Sequence, residues 1–309
     1  MNQNFVIAAS PFQLVNSCEI CLRNYGKLLY IGSPLDPKVI EFINELKIDF
    51  CYNPIDRKRN KIYKLLKWMH LHLILLKSPS TKVYVGDLND FFSSYIAFLS
   101  ATDVHVYGDG ANTQFYKNYQ YRKFWIVELI ARFRNSIVTD YNDYQVGIFD
   151  EQSQILFERY NNEIDLVDEV WLMESTTYSE QMKSIEALDD DIKWYYKDFT
   201  PYEHSDYLDD LLTVADHCAP QLKKRIFYHR NSSQKLDSQD SQDSDLAFEF
   251  RVLIERKFPK VLISMSTSLF TAQRIADTLN LKPELCFLSI SDRLDSYYES
   301  RGFKKLQPC

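Results

Sequence analysis

Short apolar runs alternate with longer amphipathic stretches through the first half of the chain. The runs at residues 5–9, 27–32, 50–52, 83–86 and 104–107 have the length and composition of buried strands. Between them, apolar residues recur at helical spacing over 12–24, 37–46, 58–76, 91–100 and 121–134. Strand followed by helix, repeated, predicts a parallel sheet wound by crossover helices. The second half repeats the theme, with strands expected at 167–172, 225–228, 261–265 and 285–289 and helices at 177–186, 208–217, 246–258, 272–279 and 292–301. The pattern therefore predicts an α/β protein of two Rossmann-like, doubly wound domains, 1–160 and 161–309, facing a cleft. Residues 231–245, NSSQKLDSQDSQDSD, hold almost no apolar side chain and are expected to form a mobile surface loop. Ligands of doubly wound sheets sit beyond the carboxyl ends of the strands, so chemistry is sought just after each strand.

Composition narrows the function. With 309 residues, 45% of them hydrophobic and 26% charged, the chain has material for two cores. It has only seven glycines and neither a GxGxxG nor a GxxxxGK[ST] motif, which disfavours a nicotinamide oxidoreductase or a P-loop NTPase. A net charge of −7 argues against a nucleic-acid partner bound by general electrostatics. The opening apolar stretch is too short to span a bilayer and lacks a basic flank, so it reads as a first strand and the expected location is cytoplasmic. The six cysteines, Cys18 and Cys21 among them, read as buried or half-buried thiols. No metal is required: Asp189, Asp190 and Asp191 follow a helix as a solvated face, and His70 and His72 fall on different faces of theirs. The segment 57–77, RKRNKIYKLLKWMHLHLILLK, joins clustered Lys and Arg to Trp and Leu. It reads as an amphipathic helix on the sheet, and could also rest on the anionic inner face of the cell membrane as a peripheral contact or attract a polyanionic acceptor.

Three expected strand ends carry polar residues beside an apolar run. In Tyr107-Gly108-Asp109-Gly110-Ala111-Asn112-Thr113, flanking glycines would let the chain turn and hold a carboxylate forward, as a general base requires; an ordinary Asp-Gly turn is the rival. In Phe227-Tyr228-His229-Arg230-Asn231, His229 is suited to proton transfer and Arg230 to gripping a phosphate. In Ser264-Met265-Ser266-Thr267-Ser268, four hydroxyls precede a helix, whose unpaired N–H groups would complete an anion site; N-capping alone needs one hydroxyl.

The order of these elements, after Ser10-Pro11-Phe12-Gln13-Leu14-Val15-Asn16 behind the first strand, resembles bacterial polysialyltransferases and the related lipooligosaccharide sialyltransferases of glycosyltransferase family 52. Those enzymes share an acidic-Gly, a His-Pro and a serine motif, in that order, on a GT-B scaffold of two Rossmann-like domains. Here the first acidic place is Gly108, leaving Asp109 as the carboxylate, and the second motif reads His229-Arg230. The resemblance implies inverting transfer of sialic acid or a related nonulosonic acid from a CMP-activated donor to a glycan or lipid-linked oligosaccharide of the bacterial surface, with no cofactor beyond the CMP-sugar co-substrate. Asp109 would be the base and His229 would assist the departure of CMP. Ser264, Ser266, Thr267, Ser268 and Arg230 would hold the donor, with Gln13, Asn16, Gly108, Gly110 and Asn112 as weaker cleft contacts.

Two other readings stand beside this one. Gly108 keeps open a nucleotide-sugar-binding or assembly protein on the same fold without catalysis. A GT-B enzyme using a UDP or GDP sugar is the other; the serine motif shows hydroxyls and no neighbouring carboxylate for a donor ribose, which favours CMP.

Overall fold

Phe5–Ala8 (β1) is wholly buried, and the strands on its two sides decide the topology of the amino-terminal half. In chain order come α1 (Pro11–Asn24), β2 (Lys27–Tyr30), α2 (Pro37–Glu45), β3 (Asp49–Tyr52), α3 (Lys61–Lys77), β4 (Lys82–Val85), α4 (Phe91–Ser100), β5 (Asp103–Val106), α5 (Trp125–Phe133), β6 (Ile137–Thr139) and α6 (Ile155–Glu158). The computed structural model describes residues 4–24, 26–55, 61–77, 82–86, 88, 90–107, 124–139, 155–173, 204–227, 246–264, 268–288 and 292–307. Its two units are Met1–Arg159 and Tyr160–Cys309. The six strands of the first unit are all parallel in the order β3-β2-β1-β4-β5-β6, the Rossmann order, with its topological switch between β1 and β4.

Local chemistry explains the helix starts. Asp36 caps α2, accepting from the Lys38 N–H at 2.8 Å, and Pro37 fills the first helical position, where no N–H is needed. Asp90 caps α4 by accepting from the Ser93 N–H at 3.0 Å. Helix ends are less conventional. In a chain this poor in glycine, Lys47, Asn135, Arg256 and Asn280 each take the left-handed position closing a helix, at a local cost that glycine, as at Gly302 after residues 292–300, avoids.

Along β1 the side chains alternate: Phe5 and Ile7 join Val83, Val85, Val104 and Val106 in a core closed by Leu71 of α3, Tyr95 and Ile96 of α4, and Val127 and Ala131 of α5. These three helices therefore form one layer on one face of the sheet. Glu19, fully buried in α1, accepts from the Ile155 and Leu156 N–H groups at 2.9 and 2.7 Å and so satisfies the start of α6. Burial pushes its carboxyl above the usual range despite those two bonds, which pull the other way.

The second unit runs β7 (Asp165–Met173), α7 (His204–Cys218), β8 (Lys223–Phe227), α8 (Phe248–Glu255), β9 (Lys257–Ser264), α9 (Ser268–Thr278), β10 (Glu284–Leu288), α10 (Asp292–Ser300) and β11 (Lys304–Leu306). Its sheet is also parallel, in the order β11-β10-β9-β7-β8, so that the switch falls between β7 and β9. Val170 and Leu172 pack with Leu211, Val214 and Ile263 on one face. Trp171, between them in sequence, points to the other face, edge-on to Phe227 and Phe248 with centroids 5.1 and 6.0 Å away.

Several expectations need correction. The helix expected over 246–258 stops at Glu255; Arg256 turns left-handed, and Phe258 belongs to β9. Pro259 is tolerated in β9 because there the strand is paired with β7 alone, β10 joining only from Val261. The three-residue strands β6 and β11 were not anticipated: each is too short to show a period. The helix expected at 177–186 and the loop expected at 231–245 lie outside the described residues. Among those described, no helix is long and apolar enough to cross a membrane.

Candidate functional site

In the first unit the Tyr107 side chain joins the end of β5 to β1 and α1, beside a capped start of α1. Ser10 accepts from the Gln13 N–H at 3.1 Å, and Gln13 Oε1 accepts from the Ala9 N–H at 2.8 Å, a close relative of the reciprocal capping box. The buried Tyr107 follows β5, and its hydroxyl donates to the Ile7 carbonyl at 2.7 Å and lies 2.9 Å from Ser17 Oγ. Gly86, after β4, lies between the two: a Cβ there would come within 2.7 Å of Gln13 Cγ and Cδ and 2.9 Å of Tyr107 Cε2. The switch crevice thus ends on a packed floor from which the chain runs on into Gly108 and Asp109. Gly86→Ala is expected to cost about 1–3 kcal/mol through this overpacking; urea unfolding checks it, and an unchanged midpoint would mean the floor yields freely.

Gln13 and Asn16 were expected as cleft contacts. Both are buried, and the Gln13 side-chain oxygen is spent on Ala9; their placement is that of residues building the floor. The Ser-Pro-x-Gln spacing, that of a capping box, is the sequence signal that would have marked Gln13 as a capping residue.

In the second unit Met173 is paired in register with Phe227 on one side and Ser264 on the other. The strands that lead into His229 and the serine motif therefore end level with each other, one on each side of β7, about 10 Å apart at ordinary strand spacing. The buried Ser264 closes β9, Ser268 opens α9, and their hydroxyls are 2.9 Å apart. The first turn of α9 has no acidic residue. A hydroxyl pair at a helix start, at a topological switch, is suited to an anionic group. Gly108, Asp109, Gly110, Asn112, His229, Arg230, Ser266 and Thr267 lie outside the described residues.

Two carboxylates beside this region gave no local signal in the sequence. Glu249 of α8 is buried and accepts from Thr271 Oγ1 at 2.5 Å, while the same hydroxyl lies 3.1 Å from the Ser268 carbonyl. The expectation of no carboxylate near the serine motif is thereby corrected, since Glu249 and Thr271 are neighbours only through the packing of α8 on α9. Burial pushes the Glu249 carboxyl up, against the Thr271 bond, and that placement braces the helix rather than facing a ribose. Glu255 binds Arg225 through two bonds of 2.7 and 3.1 Å, and Arg225 also reaches Glu169 at 3.3 Å. Arg225, part of the basic run before His229, is thus committed to the sheet face and stacked 5.2 Å from the Trp171 ring.

Cys18, Cys21 and Cys286 are buried free thiols, Cys51 is half-buried and Cys218 is exposed. Burial pushes Cys286 up to about 12 and raises Cys18 and Cys21 well above their ordinary value, so these three are packing groups rather than nucleophiles. Among the described residues no group of three or more His, Cys, Asp or Glu could hold a metal.

These features define a class, an α/β protein of two parallel-sheet, Rossmann-like units. No protein-family model and no curated protein matches the chain. Among solved structures it is similar to a point mutant of GsuK, at 9% identity and a TM-score of 0.27 over 99% of this chain and 65% of that one. GsuK bound to ADP is similar at 6% identity and a TM-score of 0.25, over 100% and 66%. The chain spans about two thirds of the length of both, and likeness at this level carries no argument about fold or function; the fold assignment rests on strand order.

Proposed function

We propose that the chain is an inverting, metal-independent glycosyltransferase of GT-B type that moves sialic acid or a related nonulosonic acid from a CMP-activated donor to a surface-glycan acceptor. The observation that carries the reading is the register of the second sheet. It brings the strands leading into His229 and into the serine motif to one edge, on either side of the switch between β7 and β9. In this reading Ser266, Thr267 and Ser268 hold the CMP phosphate against the N–H groups opening α9, and Arg230 adds positive charge. Asp109, beyond Tyr107, accepts the acceptor hydroxyl proton as that oxygen attacks the anomeric carbon, while His229 stabilises the CMP that leaves.

Thermal stabilisation by CMP, UDP and GDP in parallel tests the donor class, because a ligand that binds only the folded state raises the melting temperature. Stabilisation by CMP alone is expected; a response to UDP or GDP instead would overturn the donor assignment. Ser268→Ala should weaken CMP about tenfold, in keeping with the loss of one hydrogen bond to a charged group, and titration of the melting shift measures it.

A further inference from the structure

Glu249 is an acid buried among hydroxyls. It is 2% exposed, and Thr271 and Ser268, through which it reaches the start of α9, are buried with it. Its helix α8 packs on α9 and β9, and no ionisable group among the described residues of the three acts on its carboxyl. Arg251 and Glu255 of α8 pair with each other, Lys257 and Lys260 of β9 and Asp277 of α9 are exposed, and Arg274 of α9 does not bond to it. Burial pushes the carboxyl up, opposed by the Thr271 hydroxyl and by its own N–H. Ionised, it would be a buried charge with no counter-charge, and a group so placed takes up a proton instead.

The hydroxyl geometry fits the acid form. Thr271 Oγ1 lies 2.5 Å from Glu249 Oε1 and 3.1 Å from the Ser268 carbonyl, and its one proton cannot serve both acceptors. A protonated Glu249 donates to Thr271 Oγ1, which frees the Thr271 proton for the Ser268 carbonyl. The chain from Glu249 through Thr271 to Ser268 then ties α8 to the first turn of α9 with every proton placed. It ends on the residue whose hydroxyl meets Ser264 Oγ at 2.9 Å. An ionised Glu249 would instead set a negative charge beside the turn whose N–H groups favour an anion. We propose that Glu249 is a neutral acid and a positioning residue for the hydroxyl pair at the start of α9, and that its ionisation competes with an anion bound there. The role at the ligand rests on the transferase reading; the acid form does not.

Carbon NMR of the full chain labelled at its glutamate carboxyls reads the acid form without ligand. A signal still protonated at neutral pH is expected, and it should be missing from Glu249→Gln, which keeps the shape of the neutral acid. A raised carboxyl contributes its full stability below its unfolded pKa, about 4.3, and loses it as pH rises through the folded value. Glu249→Gln cannot ionise, so its melting temperature is expected to gain on wild type as pH is raised above about 4.3. CMP affinity, from titration of the melting shift, should match in the two proteins at neutral pH. As the Glu249 signal titrates, it should fall by about fivefold or more in wild type alone, a coupling of ordinary size. A Glu249 carboxyl already ionised at neutral pH in the ligand-free protein would overturn the proposal, whether or not CMP binds. Parallel CMP affinities through that titration would overturn the positioning role. No CMP response from either protein at any pH would remove the donor reading and the ligand role with it, and the NMR signal would still decide the acid form.

Discussion

If the chain is the transferase proposed, Asp109→Asn is expected to lower sugar transfer by about 10²–10⁴-fold, the usual worth of a positioned general base, with thermal stabilisation by CMP retained. The substitution keeps the shape of the side chain and removes only its ability to take a proton. Because the acceptor is unidentified, the first readout is release of CMP from a CMP-sugar in the presence of mixed glycan acceptors. His229→Ala is expected to reduce the same rate, and a better leaving group on the donor should recover more activity in His229→Ala than in Asp109→Asn. Wild-type rates in both variants would sink the assignment of base and leaving-group partner together, leaving the non-catalytic reading in front.

Arg225→Met removes about 3–5 kcal/mol of stability, because Glu169 and Glu255 then sit largely buried beside the Trp171 ring without their shared cation. Arg251 still reaches Glu255 at 2.9 Å and limits the loss on that side. The double variant Arg225→Met with Glu255→Leu should recover much of it, and urea unfolding of the four proteins of the cycle measures the coupling. The pH dependence has a defined sign. Burial by itself would raise the Glu255 carboxyl, but the bonds and charge of Arg225, helped by Arg251, outweigh it and hold the group below its ordinary value. A lowered carboxylate contributes its full stability above the unfolded pKa, about 4.3, and loses it as pH falls through the folded value. The gap between wild type and Arg225→Met is therefore expected to be widest near neutrality and to narrow below about pH 4. A gap that stays constant into acid would show that packing, rather than charge, carries the effect.

Both predictions concern groups that differ in how visible they were beforehand. Asp109 and His229 stand after apolar runs in a chain of alternating strands and helices, so strand-end logic alone singles them out. The Arg225 cluster joins residues from β7, β8 and α8 that are distant in sequence, and no local pattern announces it.

Periodicity alone determined the alternation of elements, the α/β class and the bounds of strongly patterned pieces such as α4, because local apolar spacing and capping residues act within one turn or one strand. Strand order was decided by the tertiary structure. Which strands flank β1 or β7 depends on crossover packing between distant segments, and the same string of elements is compatible with both sheet orders seen here. Packing likewise turned Gln13 and Asn16 inward and brought Glu249 to Thr271. It also left Ile62, Leu66 and Met69 outside, since α3 closes the core with Leu71 on the opposite side of the helix.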